Sequence, residues 1–324
     1  MTDKLGKVFL ICFFMASLGG SAFASEKSTS YPHQRPIRFV VPYAAGSGND
    51  IQSRGIAPYV EKHLGARLII ENKPGAGGRL AMNDVWKAAP DGYTLINPGM
   101  PAPAIVEQLF PVDFRCREFT HIFAWAFDNS VLVVNSETWK TAEEFLAAAR
   151  VNSLSGAHSG IGGVGQLVGI AMEDVARLKP INWVPFSGGS EIVTQLAGKH
   201  FDFGITTVSS ARALVDAGKL RPIIIFFTER DQTFPNVPIP RDIGLNLTAM
   251  PIIRGVIAPP GTPPKIANIL EQAFAKAVKE PGFLQWAQRV RTPIVPIHHE
   301  QFLSYTIGVE KEVKKYIDKI NIKK

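Results

Sequence analysis

IRFVVPYAAGSGNDIQSRGIAPYVEKHLGARLIIEN, residues 37–72, decides the fold. It opens on a β-branched run, 37–43, which reads as a strand. Ala44, Ala45, Gly46 and Ser47 then carry almost no side chain. Asn49 and Asp50 stand before a helical pattern over 50–65, with Ile56, Val60 and Leu64 four residues apart and Gly65 as its stop. Asp50 reads as the N-cap. RLIIEN, 67–72, is a second strand. Strand, helix and strand at this spacing require a parallel pair with a crossover helix.

The alternation continues outward. KPGAGG, 73–78, is a turn cluster opening a helix near 79–88, and YTLIN, 93–97, is a third strand. HIFAWAF, 121–127, and SVLVVNS, 130–136, are strands with no good helix between them. Thr141 and Glu144 form a capping box. Strands at 156–161, 181–186, 201–207 and 220–227 then alternate with helices at 164–177, 190–197 and 209–217, which makes a second α/β sheet. A strand in 254–264 leads through prolines to a helix at 264–279, and residues 300–320 form a last amphipathic helix that includes Tyr316 and Ile320. The C-terminal helices are expected to return to the first sheet. The reading is therefore α/β, two doubly wound lobes: 25–130 plus 257–324, and 136–252. Strands near 130–136 and 253–258 cross between them as a hinge.

The N-terminus differs. Lys4 and Lys7 precede an apolar run, and Ala22-Phe23-Ala24 supplies the small residues of a cleavage site. Residues 1–24 read as a secretory signal peptide, because 8–18 is shorter than the roughly 20 residues of a membrane span. Cleavage leaves Cys116 as the single cysteine, so no internal disulfide forms. A large secreted chain without disulfides suits a bacterial periplasm. No later segment is long and apolar enough to span a membrane, which predicts a soluble mature protein. The formal net charge is +7, with no Lys/Arg run of five. That favours anionic ligands and gives no sign of nucleic acid.

Three strand-to-helix loops are built of tiny residues: 44–50, 159–165 and 187–191. In a parallel sheet such loops leave from the carboxyl edge, where open α/β sheets bind ligands. A helix N-terminus offers unpaired N–H groups and a partial positive charge, and a bare loop lets an anionic oxygen reach them. Glycine in any one loop is also explained by turn geometry alone. Three loops on two sheets point to a shared cleft. The loops lack a Gly-Lys-Ser/Thr ending and a full dinucleotide fingerprint, so carboxylate is favoured over phosphate. No Gly-x-Ser-x-Gly, His-x-x-x-His or Cys-x-x-Cys occurs; the adjacent His298 and His299 cannot share a metal from a strand, and Cys116 reads as a bystander. Neither a catalytic group, a metal nor a cofactor is expected.

The segments RPIRFVVPYAAGSGND…IIENKPGAGG…AAPDGYTL, VPF…GG at 184–189, LAGKHFDFG at 196–204, GKLRPI at 218–223, FPNVP at 234–238 and IAPPGTP at 257–263 resemble, in order, the solute receptors of tripartite tricarboxylate transporters, also called Bug proteins. The resemblance covers the whole mature chain. It implies a two-lobed periplasmic receptor closing on a small organic acid, acting as a monomer and passing its ligand to membrane permease subunits. It places the ligand carboxylate on Ala44, Ala45, Gly46, Ser47, Gly48, Asn49 and Asp50, flanked by Tyr43. The second lobe adds Ser159, Gly160, Ile161, Gly162 and Gly163, and then Phe186, Ser187, Gly188 and Gly189. Arg254, at the second hinge, is either a surface charge or a second carboxylate anchor. Some positions depart from the family pattern. Ser47 and Asn49 stand where it has a second Gly and a Thr, Gly163 and Gln166 where it has a hydroxyl residue and a His, and Ile253 and Arg254 where it favours two aromatics. A sensory subunit of a signalling system and a secreted enzyme on the same fold are the competing readings.

Overall fold

The computed structural model describes residues 31–247 and 250–314. The expected leader, and the end of the last helix with Tyr316 and Ile320, lie outside the described residues. The first sheet collects β1 (Ile37–Val41), α1 (Gly48–Leu64), β2 (Leu68–Asn72), α2 (Arg79–Trp86), β3 (Thr94–Ile96), α3 (Ala102–Leu109) and β4 (Thr120–Asp128). The chain then enters a second sheet with β5 (Ser130–Asn135), α4 (Ala142–Val151), β6 (Ser155–Ser159), α5 (Val164–Val175), β7 (Asn182–Phe186), α6 (Gly189–Ala197), β8 (Phe203–Thr207), α7 (Val208–Asp216) and β9 (Leu220–Phe226). It returns with β10 (Ile252–Ala258), α8 (Pro264–Ala277), α9 (Pro281–Arg289), β11 (Ile294–His298) and α10 (His299–Lys314). The strand orders are β11-β4-β10-β3-β1-β2 and β7-β6-β8-β5-β9.

β1 pairs parallel with both β2 and β3, and β6 with both β7 and β8. Loops leaving β1 and β6 therefore stand at the points where crossovers diverge, the usual place for a ligand in an open α/β sheet. β4 and β10 run antiparallel through the middle of the first sheet. Every residue of β10 is buried, so its sequence shows no alternation between faces.

The crossing differs in detail from the expectation. β5 lies wholly in the second sheet and β10 wholly in the first. The chain changes sheets at Asn129, between β4 and β5, and again in the stretch between β9 and β10. α3, α9 and β11 were not expected. Prolines at their starts or inside them read as breakers in sequence, yet Pro103 sits in the first turn of α3 and Pro281 opens α9, where the missing N–H costs nothing. Pro296 lies in an edge strand, which tolerates it.

Packing fixes the position of the site. Trp125 of β4 stacks on Phe274 of α8 (ring centroids 5.8 Å apart), and its indole N–H donates to Gln52 of α1. α10 returns to the first sheet, where buried Thr306 meets His121 of β4 at 2.9 Å. The Trp125–Gln52 bond ties the N-terminal part of α1 to the first sheet.

Candidate functional site

The loop between β1 and α1 is built by Asp50. Its carboxylate accepts the Gly46 N–H at 2.9 Å, Arg54 Nε at 2.9 Å and Asn72 Nδ2 at 2.9 Å. The N-cap of α1 is Ser47, not Asp50: the Ser47 hydroxyl accepts the Asp50 N–H. Asp50, two residues into the helix, ties the loop back on itself. Gly46 has φ +75°, a conformation that favours glycine.

The two sheets meet across this loop. Ala44 N–H donates to Ser187 O at 3.3 Å, Ser190 Oγ to Ala45 O at 2.9 Å, and Gly48 N–H to Ser210 Oγ at 2.9 Å. Most N–H groups at the start of α1 are therefore engaged within the protein. Those of Gly46, Ser47, Gly48 and Asp50 have protein acceptors, because the cleft is shut and Ser210 Oγ occupies the place on Gly48 that an anionic oxygen would take.

Arg254, on β10, is 1% exposed and aims inward, so it is not a surface charge. Its guanidinium is paired with Asp128, at the end of β4, and donates to Asn49 Oδ1. Asp128 also accepts from Ser209 Oγ at 2.5 Å and from the Ser209 N–H at 3.3 Å. Asn49 in turn donates to Asn97 O at 3.1 Å, in the loop after β3. Burying the Arg254 charge is tolerable only because it is paired and hydrogen-bonded. Arg254 Nε has no partner, and neither has Thr206 Oγ1 on β8; both atoms are buried.

The residues that carry these two atoms line a cavity of about 40 Å³ between the sheets. The first turns of α1, α3, α5, α6 and α7 all reach it, through Gly48, Ala102, Val164, Gly189 and Ser210. Each helix N-terminus carries roughly half a positive charge. α5 and α6 have no side-chain cap. Tyr43 lines the cavity as well, and burial pushes its phenol up to about 12 while Arg254 pulls it down, so it stays a hydrogen-bond donor at ordinary pH. His158, beside Ser159, is buried edge-on to Trp183, and its Nδ1 donates to Gly160 O at 2.9 Å. Burial lowers its pKa to about 4 against the raising effect of that bond, so the imidazole is neutral and braces the second loop.

A profile described as tripartite tricarboxylate transporter family receptor matches residues 53–322. The chain belongs to that family. It is 30% identical over 312 residues to the UPF0065 protein in the gbd 5′ region of Cupriavidus necator, covering 95% of this chain and 94% of that one. It is 28% identical over 297 residues to Protein BugT of Bordetella pertussis, covering 88% and 89%. Among solved structures it resembles MatC of Rhodopseudomonas palustris with bound malate, at TM-score 0.80 and 27% identity over 89% of this chain and 99% of that one. The fold is thus the two-lobed α/β architecture of periplasmic solute-binding receptors.

Within this receptor, Tyr43, Ser47, Gly48, Asn49, Ser159, Gly163, Gly189 and Arg254 line the inner cavity. Gly160, Ile161, Phe186 and Ser187 line a neighbouring chamber, which Tyr43 also borders. Ala44, Ala45, Gly46, Asp50, Gly162 and Gly188 line neither, and shape the loops instead. Sequence reasoning missed Ser130, Thr206, Thr207 and Ser210. The signal for the last three was the hydroxyl-rich TTVSS, 206–210, where β8 runs directly into α7. His298 and His299 both contact Glu271 at 2.8 Å, far from the cleft in sequence and structure. Cys116 is buried. Among the described residues no helix is long and apolar enough to cross a membrane.

Proposed function

We propose that this receptor captures a small organic acid by its carboxylate in the cleft between the two lobes and delivers it to the membrane permease subunits of a tripartite transporter. It works as a periplasmic monomer, exported by the leader that ends at Ala24, and returns its ligand unchanged. The observation that carries the reading is the convergence of five helix N-termini on one cavity together with two buried, unpartnered polar groups, Arg254 Nε and Thr206 Oγ1. A carboxylate there can accept from these two groups and from the helix ends. The bound malate of MatC, a protein of the same architecture, supports the ligand class.

The two lobes, one on the sheet of β1–β4, β10 and β11 and the other on that of β5–β9, open about the two crossings for the ligand to enter. The test is a thermal-shift screen of organic acids followed by calorimetry. Ligand at about 100 times its dissociation constant should add about 2.7 kcal/mol of stability. Nuclear magnetic resonance of the recovered ligand should show it chemically unaltered. Failure of every acid to shift the melting temperature refutes carboxylate capture, and conversion of the ligand refutes a pure receptor.

A further inference from the structure

The inner cavity is small. A single water needs about 10–15 Å³ measured in the same way, so about 40 Å³ admits roughly three non-hydrogen atoms. That is a carboxylate group and little else. Beyond Tyr43 lies a second chamber of about 270 Å³ at the lip between the lobes. Its walls are Pro42, Tyr43, Ile161, Pro185 and Phe186. Two charged residues also reach it, and each has a partner within the protein. Arg79 donates through Nε to Ala76 O at 2.9 Å and lies over the Phe110 ring, 4.1 Å from its centroid. Glu191 accepts the Ser187 N–H at 2.9 Å. Apart from these two residues, Ser187 and the backbone of the glycine-rich stretches, the lining is apolar.

We infer that the ligand is a monocarboxylate with an extended apolar tail, alkyl or aryl, its head in the inner cavity and its tail along Tyr43 in the outer chamber. This rests on the carboxylate reading above and adds the shape of the molecule. The outer chamber is assembled from both lobes. Gly77 of the first abuts Gly160 of the second so closely that a Cβ on Gly160 would stand 2.7 Å from the Gly77 Cα. A tail seated there covers Ile161, which is apolar and 41% exposed, and bridges Pro42 to Phe186 across the lip. Binding of the tail therefore favours closure. A compact hydroxy-diacid gains nothing from the outer chamber. To fit inside, it would have to part Arg254 from Asp128.

Calorimetry with propanoate, 3-phenylpropanoate and malate tests this on the full mature chain. The expected result is that 3-phenylpropanoate binds at least tenfold tighter than propanoate, about 1.4 kcal/mol, and tighter than malate. Ile161→Asp, at an exposed position that spares the fold, should reduce the phenylpropanoate-to-propanoate ratio at least fivefold, and Phe186→Ala should act in the same direction. Equal affinity for propanoate and 3-phenylpropanoate, or tighter binding of malate, overturns the tail site and leaves the carboxylate reading intact. A ratio unmoved by both variants overturns it too. Binding of none of the three, nor of any acid in the wider screen, refutes the carboxylate reading itself.

Discussion

Arg254→Met separates what this side chain does for the fold from what it does for the ligand. Arg254 is 1% exposed and its partner Asp128 is 6% exposed. Removing the guanidinium leaves Asp128 buried with only the two Ser209 donors. Breaking a buried pair from one side costs about 3–5 kcal/mol, because the surviving charge is uncompensated. The double variant Arg254→Met with Asp128→Asn removes both charges and should recover at least about 2 kcal/mol of that loss, since neutral replacement of a buried pair is tolerated. Urea unfolding followed by circular dichroism measures each corner of the cycle. Binding follows a different course. A charge-assisted hydrogen bond from Arg254 Nε to the ligand contributes about 1.5–3 kcal/mol, which is roughly 10- to 150-fold in affinity. That loss should persist in the double variant even though its stability returns. An Arg254→Met protein within about 1 kcal/mol of wild type that binds acids normally would defeat both halves of the reasoning.

Gly48→Val should abolish binding, because a Cβ there meets Arg254 Nη2 at 2.6 Å and Thr207 Oγ1 at 2.7 Å; a folded variant that binds at wild-type strength would take this turn out of the site. Thr206→Val should leave stability unchanged or slightly higher, since its hydroxyl is unpartnered, while weakening acid binding by about 0.5–1.5 kcal/mol. Unaltered calorimetric affinity would contradict the second part. His121 and His158 are each held down to about 4 by burial, so between pH 6.5 and 4 the unfolded chain takes up protons that the folded chain refuses. Stability is full above about 6.5 and should fall by about 1.4 kcal/mol per pH unit for each histidine below that; a flat profile of unfolding midpoints from 6.5 to 4.5 would show that neither is buried neutral. Small-angle scattering should give a smaller radius of gyration with a tight ligand than without, and identical values at all ligand concentrations would argue against hinge closure.

The parts of the fold that local chemistry dictates were legible. Thr141 caps α4 by accepting the Glu144 N–H at 3.2 Å, although Glu144 reaches back to the Lys140 N–H and not to that of Thr141, and β1, α1 and β2 follow the periods read from residues 37–72 to within a few positions. The parts that depend on context were not. Prolines mark a helix start or a helix break according to a first turn that the sequence does not announce, which hid α3 and α9. In the site, the glycine loops announced themselves, whereas Thr206 and Ser210 did not. Their role arises from one sheet edge being apposed to another, a relation between residues about 160 apart, as between Gly48 and Ser210. Asp50 was misplaced for a subtler reason. Ser47 and Asp50 are both good caps, and only the backbone path through Gly46 decides which of them takes the role.

Arg254 was ambiguous because a strand buried on both faces gives no parity to read, and the structure turns that ambiguity into a statement about specificity. Asn49 and Arg254 touch: the guanidinium donates to the Asn49 amide oxygen while the amide nitrogen holds the loop after β3. A threonine at position 49 would present no second arm to that loop, and an aromatic at 254 would leave Asp128 without its partner. The two side chains therefore act as a unit, which makes the deep wall of the cavity polar. The unit adds little net charge, because Asp128 neutralises the arginine. Attraction for an anion then comes from the converging helix ends, whose field acts at short range inside a closed cleft and is little screened by salt. With the deep end reduced to the size of a carboxylate, the walls that distinguish one acid from another are those beyond Tyr43. On the inference above, the lip between Gly77 and Gly160 is where this receptor chooses among acids.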